Sequence, residues 1–166
     1  MGINFFMKKQ LPDEVYMSEA FKKAFEGIRK NNGGPFGAVI VKDENIISKA
    51  SNSVTLDNDP TAHAEINAIR AACSILKTFD LSGGTLYTSC EPCPMCLGAI
   101  YWARIDKIFY ANSRTDAKKI GFDDSFIYDE LEKPMSERSI PTIQIMHNEA
   151  IKSFEVWKQK NDKIEY

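Results

Sequence analysis

His63 and Glu65 stand two positions apart, and Cys93 and Cys96 stand three apart further along the chain. An imidazole and two thiolates are ligands that zinc accepts, and three protein ligands is the count of a catalytic zinc site with one position open. A closed structural site wants a fourth ligand, and the other histidine, His147, lies far along the chain beside an expected strand. Cysteines three apart on a helix share one face. Within the first helical turn the positive end of the helix dipole favours their thiolates. Glu65 does not share a helix face with a ligand two residues before it, which leaves its carboxylate free for proton work. That work is chemically needed. Zinc with two thiolates is formally neutral, a weaker Lewis acid than the all-histidine site that lowers the pKa of water from about 15.7 to about 7. A carboxylate that takes a proton from water and returns it to a leaving group makes up the difference. Each piece has a plainer reading. Cys-x-x-Cys alone can be a redox pair or half of a structural zinc site, and His-Ala-Glu alone occurs by chance; the redox reading gives His63 and Glu65 nothing to do.

Helical and strand patterns alternate around these residues. Met17, Phe21, Ala24, Phe25 and Ile28 recur at helical steps between Asp13 and Lys30, and the Asn31–Gly34 cluster ends the helix. Phe36–Val41 and Asn45–Ser51 read as two strands joined by a tight turn at Asp43-Glu44. A second helix is expected from near Thr61 to about Lys77, which puts His63 and Glu65 at its start. A buried strand over Thr85–Thr88, a helix over Pro94–Ala103 and a strand over Ile105–Tyr110 follow, with Gly121–Tyr128 less regular. Ile143–Met146 suggests a late strand and Ala150–Lys158 a last helix. With no repeat or linker, residues 1–166 read as one α/β domain whose β-α-β crossovers require some parallel pairing. Residues 1–11 match nothing in this pattern and are expected to be partly mobile.

Composition narrows the partners. The 166 residues are 43% hydrophobic and 27% charged, as in an ordinary folded domain, with a net charge of −2. No basic run appears, which disfavours nucleic acid as a partner, because phosphate contacts supply most non-specific affinity. No apolar stretch reaches the roughly 18–20 residues of a membrane span. In the N-terminal MGINFFMKK the lysines follow the apolar residues, the reverse of a secretory signal. Three of the four cysteines, Cys90, Cys93 and Cys96, crowd together, a poor disulfide framework and a good metal one. A reducing cytoplasm is the expected compartment.

Asp59-Pro60-Thr61-Ala62-His63-Ala64-Glu65-Ile66 and Thr88-Ser89-Cys90-Glu91-Pro92-Cys93-Pro94-Met95-Cys96-Leu97-Gly98-Ala99-Ile100 carry the H-x-E…P-C-x-x-C pattern of zinc-dependent nucleobase deaminases. They resemble the cytidine deaminase superfamily, on the purine-acting branch shared by tRNA adenosine deaminases and bacterial guanine deaminases. Gly121–Tyr128, Glu137–Pro141 and the tail Ile164-Glu165-Tyr166 are similar to the guanine deaminases. The resemblance implies a three-layer α/β/α fold with a mixed central sheet and hydrolysis of guanine to xanthine and ammonia. It implies one zinc ion per chain on His63, Cys93 and Cys96, with Glu65 as the proton shuttle. It further implies a purine base held by Asn52, Asp124 and Tyr166 against a stacking wall at Phe36. The expected assembly is a homodimer that swaps the segment from about 140 to 166. Adenosine in tRNA, guanosine and azapurines remain alternative substrates, as does a zinc-binding protein without activity. Asn52 could also shape a turn, Asp124 could cap a helix, and Phe36 and Trp102 could be core. Cys73 and Cys90 read as small buried apolar residues, and Glu91 as a buttress of its loop.

Overall fold

The computed structural model describes residues 12–166; the expectation of mobility for residues 1–11 lies outside them. The described residues form two compact units that divide between Asp123 and Asp124. In the first, α1 (Asp13–Arg29) leads to β1 (Gly37–Lys42), β2 (Asn45–Ser51), the short α2 (Val54–Asp57) and α3 (Ala64–Leu76). Then come β3 (Gly84–Cys90), α4 (Pro94–Trp102), β4 (Lys107–Asn112) and α5 (Arg114–Lys119). The strands lie in the order β2-β1-β3-β4. The first two pairings are antiparallel and β3 runs parallel to β4, with α4 as the crossover. This is the mixed sheet expected.

β1 is covered on both faces, which is why its sequence shows a continuous apolar run instead of alternation. Ala38 and Ile40 join Ala64, Ala68 and Ala72 of α3, Leu86 of β3 and Ile100 of α4 in one core. Val39 and Val41 join Tyr16 and Ala20 of α1, with Tyr87, in the other. The helix layers therefore sandwich the sheet, α1 on one side and α3 with α4 on the other. The alanine stripe of α3 lets that helix lie close to the sheet, and Ser48 ties them by donating to the Ala68 carbonyl at 2.8 Å. At Gly37 a Cβ would fall 2.1 Å from the Ala20 carbonyl oxygen and 2.5 Å from the Ala24 nitrogen, so only glycine admits α1 this near to β1.

Local chemistry moves several boundaries. Asp43 and Glu44 both take left-handed backbone (φ 49° and 61°), the two-residue turn whose twist suits a hairpin. The helix expected from Thr61 starts instead at Ala64. Asp59 accepts hydrogen bonds from both the backbone N–H and the hydroxyl of Thr61 at 2.7 Å, which fixes the preceding loop outside the helix. β4 begins at Lys107, not Ile105, because Arg104 is left-handed (φ 56°) and Asp106 donates to the Gly84 carbonyl. α2 is too short to leave a periodic signal. α5 opens with a reciprocal cap between Ser113 and Asp116.

The second unit holds α6 (Ser125–Glu132), a 3₁₀ turn at Met135–Glu137 and α7 (His147–Gln159). The expected strand at Ile143–Met146 does not form. A strand needs a neighbour for its backbone groups, and the four-stranded sheet of the described residues does not include this segment. Ile143 and Ile145 stand exposed, and α7 starts three residues ahead of the expected Ala150. No residue of this unit is buried. Many of its large apolar side chains, Phe126, Ile140, Phe154, Trp157 and Tyr166 among them, are exposed.

Candidate metal centre and active site

Two helix starts bring the chemistry together. His63 is the last extended residue before α3 (φ −69°, ψ 156°), and Cys93 stands in the same position before α4 (φ −66°, ψ 168°). Pro94 opens α4 with its fixed φ, and Cys96 lies one turn in, fully buried. Asn67 secures the approach to His63. Its amide donates to the Ser51 carbonyl at 3.1 Å, to the Ser53 hydroxyl at 2.9 Å and to the Ala62 carbonyl at 3.3 Å.

His63 Nδ1 lies 3.5 Å from Cys93 Sγ and 3.4 Å from Cys96 Sγ. Ligands about 2.1 and 2.3 Å from one tetrahedral zinc stand roughly 3.6 Å apart, so the donor set fits that ion. Among the described residues, His63, Cys93 and Cys96 are the group able to hold a metal. A hydrogen bond from Cys96 holds the Cys93 thiol down to about 4, with burial opposing and His63 assisting. The same bond, then burial, pushes Cys96 up. A metal ion takes both sulfurs as thiolates, so its uptake would release protons from this pair.

Glu65 is 5% exposed and sits in the first turn of α3. Its separation from the ligand set has a different origin from the one expected. His63 precedes the helix, so the two side chains diverge because the backbone changes from extended to helical between them. Glu65 Oε2 accepts from Cys96 Sγ at 3.5 Å, and Oε1 accepts from the Thr88 hydroxyl at 3.0 Å. Burial raises the carboxyl above its ordinary range, against hydrogen bonds from its own backbone N–H and from Thr88. Such a group is suited to taking up and releasing a proton. Thr88 is the residue that the sequence reading missed. The available signal was a hydroxyl two residues from Leu86, hence on the same inward face of β3.

Asn52 is buried, and its Oδ1 accepts from the backbone N–H of Gly34 at 3.0 Å and of Val54 at 3.2 Å. It does shape the turn. A Cβ at Gly33 would stand 2.1 Å from that oxygen, so the loop closes directly on the amide. Phe36 is half-buried, packs on the α3-side core and meets Phe122 edge to face at 4.9 Å. Glu91 accepts from the Arg114 backbone N–H at 3.0 Å, as a buttress would. Cys90 is buried, whereas Cys73 is partly accessible and Trp102 is 67% exposed, outside the core. Asp124 and Tyr166 belong to the second unit. Asp124 holds the N-cap position of α6 without a capping hydrogen bond, and Tyr166 is exposed.

The pattern of the cytidine and deoxycytidylate deaminase zinc-binding region matches residues 11–112, which span the whole metal group and its sheet. The chain belongs to this deaminase family. Its sequence is 54% identical to the guanine deaminase of Bacillus subtilis, over 92% of this chain and 98% of that one. The X-ray structure of guanine deaminase from Bacillus subtilis superposes with a TM-score of 0.91 at 53% identity, over 94% of this chain and 99% of that one. The tRNA-specific adenosine deaminase of Bacillus subtilis is 43% identical over 59% of this chain and 60% of its own length.

Proposed function

We propose that this protein is an enzyme that hydrolyses guanine to xanthine and ammonia at a zinc site. One observation carries the choice of base. The likeness to a guanine deaminase runs through 92% of the chain, so it includes most of the second unit, whereas the likeness to a tRNA-specific deaminase covers 59%. The net charge of −2 suits a free purine better than a polyanion.

His63, Cys93 and Cys96 would hold one zinc per chain. When bound, zinc supplies a Lewis acid that acidifies water and stabilises negative charge on oxygen. Glu65 accepts the proton that water loses as it attacks ring carbon 2 and delivers it to the ring nitrogen. Glu65 then takes the remaining proton of the oxygen added at carbon 2 and passes it to the amine; the carbon–nitrogen bond breaks, that oxygen becomes a carbonyl, and ammonia leaves. Low exposure around the carboxylate keeps those protons between Glu65 and the substrate. Asn52 has Oδ1 committed to backbone, which leaves its Nδ2 as the donor for the base. Phe36 would offer a stacking face. Asp124 would accept from the ring N–H and amino edge, and Tyr166 would close the pocket.

The assembly that follows is a homodimer exchanging the segment of about residues 140–166. The second unit has no buried side chain, and the first unit carries a groove of about 420 Å³ lined by Phe21, Phe25, Ile28, Phe36, Cys90 and Ile120. Both are apolar surfaces that a partner chain would cover. In this reading residues 1–166 act as one domain completed by a second copy. The enzyme would work in the cytoplasm, where its four thiols stay reduced; no helix among the described residues is long and apolar enough to cross a membrane.

Ammonia release measured across guanine, guanosine, adenine, cytosine and a tRNA anticodon stem-loop tests the reading. Turnover of guanine with the others inert is expected. Adenosine-to-inosine conversion in the stem-loop, with guanine untouched, would replace it with the tRNA function.

A further inference from the structure

Thr88 is fully buried in the middle of the sheet, paired with Ala38 of β1 on one side and Tyr110 of β4 on the other. Its inward neighbours are apolar. Leu86, two residues before it, packs against the alanines of α3. Valine would fill such a place with the same shape and comparable strand preference. A buried hydroxyl is tolerated where it finds a partner, and this one donates to Glu65 Oε1 at 3.0 Å. The second carboxylate oxygen, Oε2, faces the Cys96 sulfur at 3.5 Å. The terminal torsion of a glutamate side chain is soft, so nothing in Glu65 itself assigns one oxygen to each side.

We propose that Thr88 is a positioning residue for the reaction: its hydroxyl holds Oε1 of Glu65, fixing the carboxylate plane and reserving Oε2 for proton transfer beside the metal ligands. It acts through Glu65, to which its hydroxyl donates. This rests on the deamination reading, because only a group that moves protons gains from having one oxygen reserved. The strand supplies rigidity. Thr88 lies between paired strands on both sides, so its hydroxyl cannot follow the carboxylate if that group turns.

The test compares wild type with Thr88→Val, Thr88→Ser, Glu65→Ala and the Thr88→Val/Glu65→Ala double variant, each prepared with zinc. Thr88→Val should keep its zinc and a KM for guanine within about twofold of wild type, while kcat falls about ten- to hundredfold, the scale of one hydrogen bond to a charged group. Thr88→Ser, which keeps the hydroxyl, should recover most of that loss. Thermal denaturation supplies a readout independent of turnover. The shift caused by Thr88→Val should differ between the wild-type and Glu65→Ala backgrounds, because residues in contact are non-additive. Wild-type kcat in Thr88→Val, equal losses in the valine and serine variants, a loss matched by lost zinc, or additive midpoints would each overturn the proposal. Should wild type release no ammonia from guanine, the functional reading falls, and the denaturation cycle alone judges the Thr88–Glu65 contact.

Discussion

The Cys96 sulfur stands 3.5 Å from Oε2 of Glu65 and 3.4 Å from Nδ1 of His63. One buried thiol thus touches both the candidate proton carrier and a candidate ligand. The carboxylate is adjacent to the metal group without being counted in it, since the grouped ligand atoms come from His63, Cys93 and Cys96.

Removing the carboxylate should therefore separate chemistry from metal binding. Glu65→Ala is expected to retain zinc and lose about two to four decades of kcat, the contribution of a positioned general acid–base. Zinc content by atomic absorption and ammonia release on one preparation decide it. Turnover near wild type would remove Glu65 from the mechanism.

The thiols should divide cleanly in a dialysis assay. Cys93→Ala or Cys96→Ala leaves two protein ligands where three stood, and both variants should come through dialysis depleted of zinc. Cys73→Ala should keep it, because Cys73 is outside the ligand group and burial raises its thiol. Chelation of wild type should also lower the melting temperature, with recovery on adding zinc. A ligand at about a thousand times its Kd adds roughly 4 kcal/mol to the native state.

The site was more legible in the sequence than the shape that holds it. His63, Cys93 and Cys96 were readable because metal ligation dictates residue type and spacing together. Glu65 stood out because a thiolate-rich zinc calls for a nearby base, and the fold does bury its carboxylate beside Cys96. Thr88 was not, since its partner lies 23 positions away and only the sheet brings them together. The starts of α3 and β4 were misjudged where an Asp59 side chain or a left-handed Arg104 overrode periodicity. The strand expected at Ile143–Met146 is not among the four paired strands of the described residues. Asn52 shapes the turn, as its plainer reading had it, through the two backbone N–H groups on its Oδ1; its contact with the base stays a proposal.

A pH signature belongs to the α1 side of the sheet. Tyr87 donates its phenolic hydrogen to Asp13 and stacks on Phe109 at 5.0 Å. Burial, then the bond to Asp13, pushes the Tyr87 phenol above its ordinary value. A folded-state pKa raised above the unfolded one means that the folded chain holds the proton longer. The stabilisation is thus complete below the ordinary phenol value and is lost as pH rises above about 10. Denaturant midpoints measured from pH 8 to pH 11 should fall more steeply for wild type than for Tyr87→Phe. Parallel curves would show that the phenol contributes nothing to alkaline unfolding.

The exchanged tail can be tested by complementation. Glu65→Ala has an inactive core with an intact tail, whereas a chain lacking Ile164-Glu165-Tyr166 has an intact core without its closing residue. Each should be nearly inactive alone, and the truncated chain should still hold zinc. Unfolded and refolded together, they should recover about a quarter of wild-type activity, because random pairing makes half the dimers mixed and each mixed dimer then contains one complete site. If each tail instead closes its own core, mixed dimers contain no complete site and the mixture stays inactive. Sedimentation of the refolded sample separates that outcome from a failure to dimerise. Full activity of the truncated chain by itself would remove Tyr166 from the pocket altogether.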